Sequence, residues 1–267
     1  MTALSVITVT HNRVELLQQK LAALEQQTLP PERFELVVLA NACTDETIRL
    51  LDDVTPACGL QVLESPKKLS PSQARNRCAA AAGGHVLYFS DDDCLPDPET
   101  LAKHLEAQAK PCVAIGSLTF IDGDAQEHWN PRNVSFWNLN GANSSVPAAA
   151  FRAARGFDET LSGYGGEDVA LGYALKDLPF VALQGAGAGA RHLGPNPVRS
   201  GDLHKARSAG RNAVRLASRY PELAYRLGVH PALLGLKRLL LRPGLNLSPS
   251  YRYERAYLEG ALEERRV

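Results

Sequence analysis

The chain lacks several patterns that would assign it to a specialised class of protein. Its five cysteines are scattered and include no C-x-x-C pair, which argues against a disulfide framework or a zinc knuckle. The first residues lack the basic and apolar regions of a signal peptide. No apolar stretch approaches the length of a membrane span. With 45% hydrophobic and 22% charged residues, the 267-residue chain is predicted to be globular and cytoplasmic.

Net charge is zero, but the charges are unevenly distributed. Residues 1–190 carry 14 Lys and Arg against 23 Asp and Glu, whereas residues 191–242 carry 11 against 2. Two interpretations of this basic segment are open. It could fold against the acidic part of the chain, or it could bind an anionic partner.

The first half of the chain alternates between strand-like and helix-like patterns. Strands are predicted at four apolar runs, residues 4–10, 34–39, 60–63 and 85–89. Asn12 and Glu15 are spaced as a capping box for the first helix, and Ser70 and Gln73 for the third. Alternating strands and helices predict an α/β fold, with a mainly parallel sheet flanked by helices.

The second half is less regular, and its elements are predicted one by one. We expect a strand at residues 113–121, a loop at 122–143, a helix from Glu167, a last strand at 180–183, and helices from about residue 200. The chain is therefore divided into a catalytic domain at residues 1–195 and a helical C-terminal extension at 196–267.

Three consecutive aspartates, Asp91, Asp92 and Asp93, follow the strand predicted at residues 85–89. Carboxylates in that position lie at the rim of the sheet, where open α/β folds bind ligands. Clustered carboxylates repel one another, so such a site usually needs a cation. The pattern therefore predicts a divalent metal ion that binds a phosphate-bearing substrate.

Two later segments carry further candidate site residues. Glu167 and Asp168 follow a Gly-x-Gly-Gly run in the first turn of a predicted helix, where the helix dipole alone would also favour acidic residues. His192 follows a glycine-rich stretch at residues 185–190. Imidazole together with carboxylates suits Mn²⁺ somewhat better than Mg²⁺.

Six segments in chain order carry a resemblance to a known family. They are Thr8-Val9-Thr10-His11-Asn12-Arg13, residues 37–45, Ala74-Arg75-Asn76, residues 89–98, Gly156-Phe157-Asp158-Glu159 and Gly165-Gly166-Glu167-Asp168. Over residues 4–193 the chain resembles a family 2 glycosyltransferase of the GT-A fold. The resemblance implies an inverting, metal-dependent transferase that uses a nucleotide sugar.

The resemblance also implies roles for individual residues. Asp93 is expected to bind Mn²⁺ or Mg²⁺, with Asp91 as a ribose or second metal contact and His192 completing the metal shell. Asp168 is expected to be the catalytic base, with Glu167 orienting the acceptor. The remaining candidate donor-binding residues are Thr8, His11, Arg13, Arg75 and Asp92, together with Asn41, whose amide could pair with a base edge in place of the aspartate that the family usually has after the second strand.

One position departs from the family pattern. The aspartate that usually reads the nucleobase is replaced by Ala40, which is followed by Asn41. A UDP-sugar remains the favoured donor, with a GDP- or dTDP-sugar as the alternative. The acceptor is expected to be a glycan, a lipid-linked molecule or a small molecule, and no nucleic-acid partner is expected.

Three other interpretations remain open at this stage. The chain could be a nucleotidyltransferase of related fold, although the glycine-rich signature of such enzymes is absent after the first strand. It could be a non-catalytic protein that binds sugar nucleotides. Residues 200–242, which contain both leucines and cations, could also make peripheral contact with the inner face of a membrane.

Overall fold

The computed structural model describes residues 2–183, 185, 187–194, 202–241 and 248–265. The strands are β1 Leu4–Thr10, β2 Phe34–Asn41, β3 Gly59–Ser65, β4 Val86–Phe89, β5 Cys94–Pro96, β6 Val113–Ile115, β7 Leu118–Asp122, β8 Ala125–Trp129, β9 Ser144–Pro147, β10 Phe180–Ala182 and β11 Ala190–Leu193. The helices are α1 Val14–Glu25, α2 Thr47–Asp53, α3 Pro71–Ala81, α4 Thr100–Ala107, α5 Ala148–Ala153, α6 Glu167–Ala174, α7 Leu203–Arg219, α8 Pro231–Leu240 and α9 Pro249–Glu264.

The main sheet has seven strands in the order β10-β6-β9-β4-β1-β2-β3. All of its pairings are parallel except those of β9, which runs antiparallel to β4 and β6. Because side chains alternate along each strand, β1 sends Val6 to one face and Ile7 to the other. Val6 packs with Leu17 of α1, and Ile7 with Cys78 of α3, so both faces are covered by helices. The predicted α/β fold with a mainly parallel sheet is therefore confirmed.

A second sheet of four strands, in the order β5-β11-β7-β8, was not anticipated from the sequence. Three predictions were wrong here. Residues 113–121 form two strands in different sheets, the loop predicted at 122–143 contains β8, and β11 follows the strand predicted as the last. The pairing of β11 with β5 places His192 opposite Cys94, directly after the three aspartates.

The capping predictions had mixed outcomes. Ser70 and Gln73 form the predicted capping box at the start of α3. Asn12 does not cap α1; it adopts a φ of 53°, and its Oδ1 accepts a hydrogen bond from the backbone N–H of Thr44 at 2.7 Å. The Asn12 side chain thus joins the loop after β1 to the loop after β2.

The C-terminal helices pack mainly through α7 and α9. These two helices approach closely at two glycines: a Cβ at Gly210 would overlap the carbonyl oxygen of Tyr257, and one at Gly260 that of Arg207. The domain boundary predicted between residues 195 and 196 lies outside the described residues. None of the helices in the described ranges combines the length and apolar character that a membrane crossing needs.

Most cations of α7 are engaged within the molecule. Arg207 pairs with Glu259, Arg211 with Glu263, Arg215 with Glu264, and Arg219 with Asp158. Three of these partners lie on α9 and one lies in the first part of the chain. The basic character of α7 is therefore matched within the molecule, but mainly by α9; of these four partners, Asp158 is the one that lies in the acidic part of the chain named by the first interpretation. Arg242, at the end of the segment considered for membrane contact, lies outside the described residues.

Candidate active site

The predicted site residues gather at the carboxyl ends of β1, β2 and β4. A cavity of about 510 Å³ opens there, where parallel α/β sheets commonly bind ligands. Five of the predicted residues that line it are His11, Arg13, Asn41, Arg75 and His192. The three aspartates also line it. The sheet thus brings together residues that are far apart in the chain.

Arg75 is the electrostatic centre of one side of this cavity. Its Nη2 donates to Asp91 Oδ1 at 2.7 Å, and its Nη1 lies 3.7 Å from Glu167 Oε1 and 4.0 Å from Asp168 Oδ1. Its side chain is only 11% exposed. Burial opposes its charge, but the surrounding carboxylates overcome this and raise the pKa of Arg75. Arg75 therefore stays protonated and bridges Asp91 to the Glu167–Asp168 pair.

Asp168 and Glu167 lie behind Arg75, at the start of α6, rather than among the residues that line the cavity. Burial raises the pKa of the Asp168 carboxyl to about 7, the charge of Arg75 opposes this shift, and the charge of Glu167 adds to it. The backbone N–H of Gly141 donates to Asp168 Oδ2 at 3.2 Å, whereas Asp168 Oδ1 has no hydrogen-bond partner among the described residues. A carboxylate with such a pKa suits proton transfer near neutral pH.

Asp93 and His192, two of the three residues predicted to bind a metal, lie together in the cavity, whereas the third, Asp91, is paired with Arg75. Among the described residues, one group is close enough to do so: Asp93, Cys94 and His192, whose ligand atoms lie within 4.8 Å of one another. His192 Nε2 is 3.7 Å from Asp93 Oδ1, and its buried Nδ1 has no hydrogen-bond partner in the part of the chain that the structure describes. Burial raises the pKa of the Cys94 thiol well above its usual value, so this group stays protonated. A carboxylate and an imidazole therefore fit a Mn²⁺-type ion, whereas a protonated thiol does not.

Arg13 holds two of the aspartates. Its Nη1 donates to Asp92 Oδ1 at 2.9 Å and to Asp93 Oδ2 at 3.0 Å. Asp92 is buried, and burial raises its pKa while the charge of Arg13 opposes the shift. Asp92 therefore stabilises the turn of the three aspartates, and Asp91 and Asp93 are the more accessible carboxylates of that turn.

Two predicted donor-binding side chains are already engaged by the protein. Thr8 is buried and donates to the carbonyl oxygen of Ser90 at 2.9 Å, beneath the cavity. The amide of Asn41 donates to the carbonyl oxygen of Leu69 at 3.1 Å and accepts from its N–H at 2.8 Å. In this arrangement Asn41 fixes the neighbouring loop. His11 Nδ1 lies 2.7 Å from the carbonyl oxygen of Asn41.

A buried lysine that the sequence reasoning missed supports the three aspartates from below. Lys20 of α1 is fully buried, and its Nζ donates to Ser90 Oγ, to the Asp91 carbonyl oxygen at 3.3 Å and to the Cys94 carbonyl oxygen at 2.6 Å. Burial lowers the pKa of Lys20 to about 8. The signal was present in the sequence, because Lys20 lies three residues after Leu17 on the apolar face of α1.

Two further lysines line the cavity without having been predicted as site residues. Lys68 follows β3, and Lys205 lies in the first turns of α7 with its Nζ 5.1 Å from the ring centre of Tyr164. Lys205 belongs to the basic segment at residues 191–242. Its place in the cavity depends on how α7 packs, which the sequence does not indicate.

Comparison with known proteins agrees with this geometry. The family model described as glycosyl transferase family 2 matches residues 5–164. Validoxylamine A glucosyltransferase of Streptomyces hygroscopicus subsp. limoneus is 29% identical over 64% of this chain and 47% of its own length. An uncharacterised glycosyltransferase of Bacillus subtilis, YwdF, is 28% identical over 55% of this chain and 49% of its own length. The chain thus spans about half the length of these curated relatives.

Solved structures share the fold at low sequence identity. The structure of Staphylococcus aureus TarS 1–349 in complex with UDP has a TM-score of 0.63 at 18% identity, covering 99% of this chain and 92% of that one. Mannosyltransferase PcManGT of Pyrobaculum calidifontis, in complex with GDP-Man and Mn²⁺, has a TM-score of 0.64 at 19% identity, covering 98% and 86%. The fold is therefore GT-A, and the chain belongs to glycosyl transferase family 2.

Proposed function

We propose that this protein is an inverting, metal-dependent glycosyltransferase that moves a sugar from a nucleotide sugar to an acceptor hydroxyl. One observation carries the proposal. One cavity is lined by a carboxylate–imidazole pair, Asp93 and His192, and by Arg75. Arg75 in turn lies 4.0 Å from Asp168, a carboxylate of raised pKa. A nucleotide diphosphate and an acceptor hydroxyl need these two kinds of group on opposite sides of the transferred sugar.

The proposed roles follow from the position of each group. Asp93 and His192 would hold Mn²⁺ or Mg²⁺, and Asp91 would contact the donor ribose or the metal. A bound divalent ion would supply positive charge against the diphosphate of the leaving nucleotide. Asp168 would accept the proton of the attacking hydroxyl, and attack opposite the leaving group would invert the anomeric centre.

A UDP-sugar is the favoured donor in this proposal. UDP and UDP-GlcNAc complexes of TarS and the GDP-Man complex of PcManGT support a nucleotide sugar, but they differ in nucleobase. Ala40 offers no polar side chain and Asn41 is engaged by Leu69, so the base would be met mainly by backbone groups. We expect weaker discrimination between nucleobases than an aspartate would give.

The first experiment is a panel of UDP-glucose, UDP-N-acetylglucosamine and GDP-mannose, assayed for hydrolysis with Mn²⁺ and with EDTA. At least one donor should be hydrolysed only with metal. Asp93→Asn should abolish metal-dependent donor binding, and Asp168→Asn should lower turnover by roughly 100-fold with donor affinity retained. The control is Asp53→Asn, an exposed carboxylate of α2. Full activity of Asp93→Asn in EDTA would refute the metal assignment.

Adding a nucleoside triphosphate with a sugar phosphate to the panel, and measuring UDP binding beside turnover, separates the other interpretations. A nucleotidyltransferase would release pyrophosphate from a nucleoside triphosphate and a sugar phosphate. A non-catalytic protein would bind UDP without turnover. The match to the glycosyltransferase family favours sugar transfer over both. We also propose a cytoplasmic location, in agreement with the five free cysteines.

We retain peripheral membrane contact only for α8. Its outer face exposes Leu236, Leu239 and Leu240 at 51%, 66% and 63%, beside the exposed Arg238. Such a helix suits the boundary of an anionic bilayer, where a lipid-linked acceptor would also reside. Sedimentation with phosphatidylglycerol vesicles at low salt should carry down the protein but not the variant Leu239→Ser. Equal recovery in the supernatant for both would leave this face without a membrane role.

A further inference from the structure

The loop that leads into the Glu167–Asp168 pair is shaped by its contact with α7. Gly163, Gly165 and Gly166 have φ values of 78°, 89° and 94°, a region that favours glycine. A Cβ at Gly165 would lie 2.9 Å from the Cβ of Ala209, and one at Gly166 would lie 3.3 Å from the Cβ of Asn212. The Gly-x-Gly-Gly run therefore permits both the backbone conformation and the close approach of α7.

Two buried polar side chains of α7 bind the backbone of this loop. Ser208 Oγ accepts a hydrogen bond from the N–H of Tyr164 at 2.8 Å. Asn212 Nδ2 donates to the carbonyl oxygens of Ser162, at 3.0 Å, and Gly165, at 2.7 Å. Ser208 and Asn212 are 7% and 1% exposed. These three hydrogen bonds engage three of the five residues just before α6 begins.

The position of α6 depends on this loop, because no side chain of the described residues caps the start of the helix. Gly166 occupies the cap position in a left-handed conformation, without a side-chain hydrogen bond. Glu167 and Asp168 are the next two residues, and they lie beside Arg75. A shift of the loop would therefore move both carboxylates relative to the cavity.

We propose that Ser208 and Asn212 are positioning residues that hold the Gly163–Gly166 loop so that Asp168 meets the acceptor. The C-terminal segment would then be a working part of the active site rather than an appendage. This inference rests on the proposed role of Asp168 as the base. It assigns a catalytic role to α7, which the predicted division at residue 195 placed outside the catalytic domain.

The packing of α7 allows this role to be tested without unfolding the protein. Leu216 of α7 is buried with Leu161, Ala170 and Leu223 in an apolar cluster of its own. This cluster docks α7 independently of the two polar side chains. Ser218 provides a matched control on the same helix, because its hydroxyl donates to the Val214 carbonyl oxygen of α7 itself, at 2.9 Å, and not to the loop.

The experiment compares Ser208→Ala, Asn212→Ala and the control Ser218→Ala in the full-length protein. Amide hydrogen exchange in residues 162–168 should become roughly tenfold faster in the first two variants, since each loses one or two hydrogen bonds to the loop. Turnover at saturating donor, measured over the same donor panel with Mn²⁺, should fall roughly tenfold. UDP affinity with Mn²⁺ should stay within about twofold of the parent, because both side chains bond to the backbone of the loop rather than to the residues proposed to hold the donor.

Unchanged exchange in Asn212→Ala would overturn the proposed hold on the loop. Faster exchange with unchanged turnover would overturn its catalytic relevance. A loss of UDP affinity equal to the loss of turnover would indicate a general collapse of the site and would also count against the proposal. Asp168→Asn keeps the two proposals apart: full turnover in that variant refutes the role of the base, whereas the exchange measurement tests the loop by itself.

Discussion

The buried histidine of α4 makes a quantitative prediction about stability. His104 is fully buried, with Nε2 at 2.9 Å from Asn143 Oδ1 and Nδ1 at 2.9 Å from Ser145 Oγ. Burial lowers the pKa of His104 from 6.5 to about 4, and the hydrogen bond to Asn143 opposes this only in part. Tyr88 also donates to Asn143 Oδ1, at 3.0 Å. The site therefore stabilises the neutral imidazole.

The sign of the pH dependence follows from proton binding. Between pH 4 and 6.5 the unfolded chain binds a proton at this histidine and the native protein does not, so acid favours unfolding. The contribution is complete above pH 6.5 and is lost as the pH falls towards 4. The full loss amounts to about 3 kcal/mol, of which about 2 kcal/mol should appear between about pH 8 and about pH 5.

The assay is urea unfolding of the parent and of His104→Gln at both pH values. Glutamine keeps an amide donor but does not titrate, so the variant should lose about 2 kcal/mol less than the parent on acidification. His85→Gln, at an exposed histidine, serves as the control and should behave like the parent. An identical pH dependence for His104→Gln and the parent would refute the reasoning, whatever the stability of the variant at high pH.

Three further substitutions test the site. Lys20→Met should weaken the binding of Mn²⁺ with UDP by roughly tenfold in calorimetry, since the turn of aspartates loses three hydrogen bonds, while Lys110→Met should not. Lys205→Ala should weaken UDP binding by roughly threefold to tenfold, and an unchanged affinity at low salt would show that this cation does not face the diphosphate. Gly141→Ala should reduce turnover without unfolding the protein, because a Cβ there would overlap the guanidinium group of Arg75. Outside the site, a Cβ at Gly235 within α8 meets open space, so Gly235→Ala should stabilise the protein by up to about 1 kcal/mol in thermal melts.

Residue patterns were sufficient where local chemistry decides the structure. The capping box of α3 and the buried strand before the three aspartates were predicted because their signals are short-range. β8 was missed because its residues are polar and mostly exposed, so it shows no alternation of apolar side chains. Asn12 carries a local capping signal, but its contact with Thr44, 32 residues away, takes precedence.

Motifs predicted the residues of the candidate site, but they did not predict the residues that hold them in place. Residue types and spacing identified the aspartates, the Glu167–Asp168 pair and His192, and the sheet brings these groups to one cavity or its edge. Lys20 and Asn212 act through contacts that depend on tertiary packing. The placement of Lys205 and Asn212 follows from the docking of α7, for which the sequence offers charge but no register.

The close crossing of α7 and α9 limits how the chain can be shortened or recombined. Gly210 and Gly260 let the two helices touch backbone to backbone, on the face of α7 opposite to the one that meets the Gly163–Gly166 loop. α9 therefore braces α7 from behind, near the end of the chain. A truncation before α9 would remove this support of α7. Exchange of the C-terminal helices for those of another glycosyltransferase would lose the close contact between α7 and the Gly163–Gly166 loop. The catalytic domain and the C-terminal helices are therefore expected to change together in evolution rather than to be exchanged as independent modules.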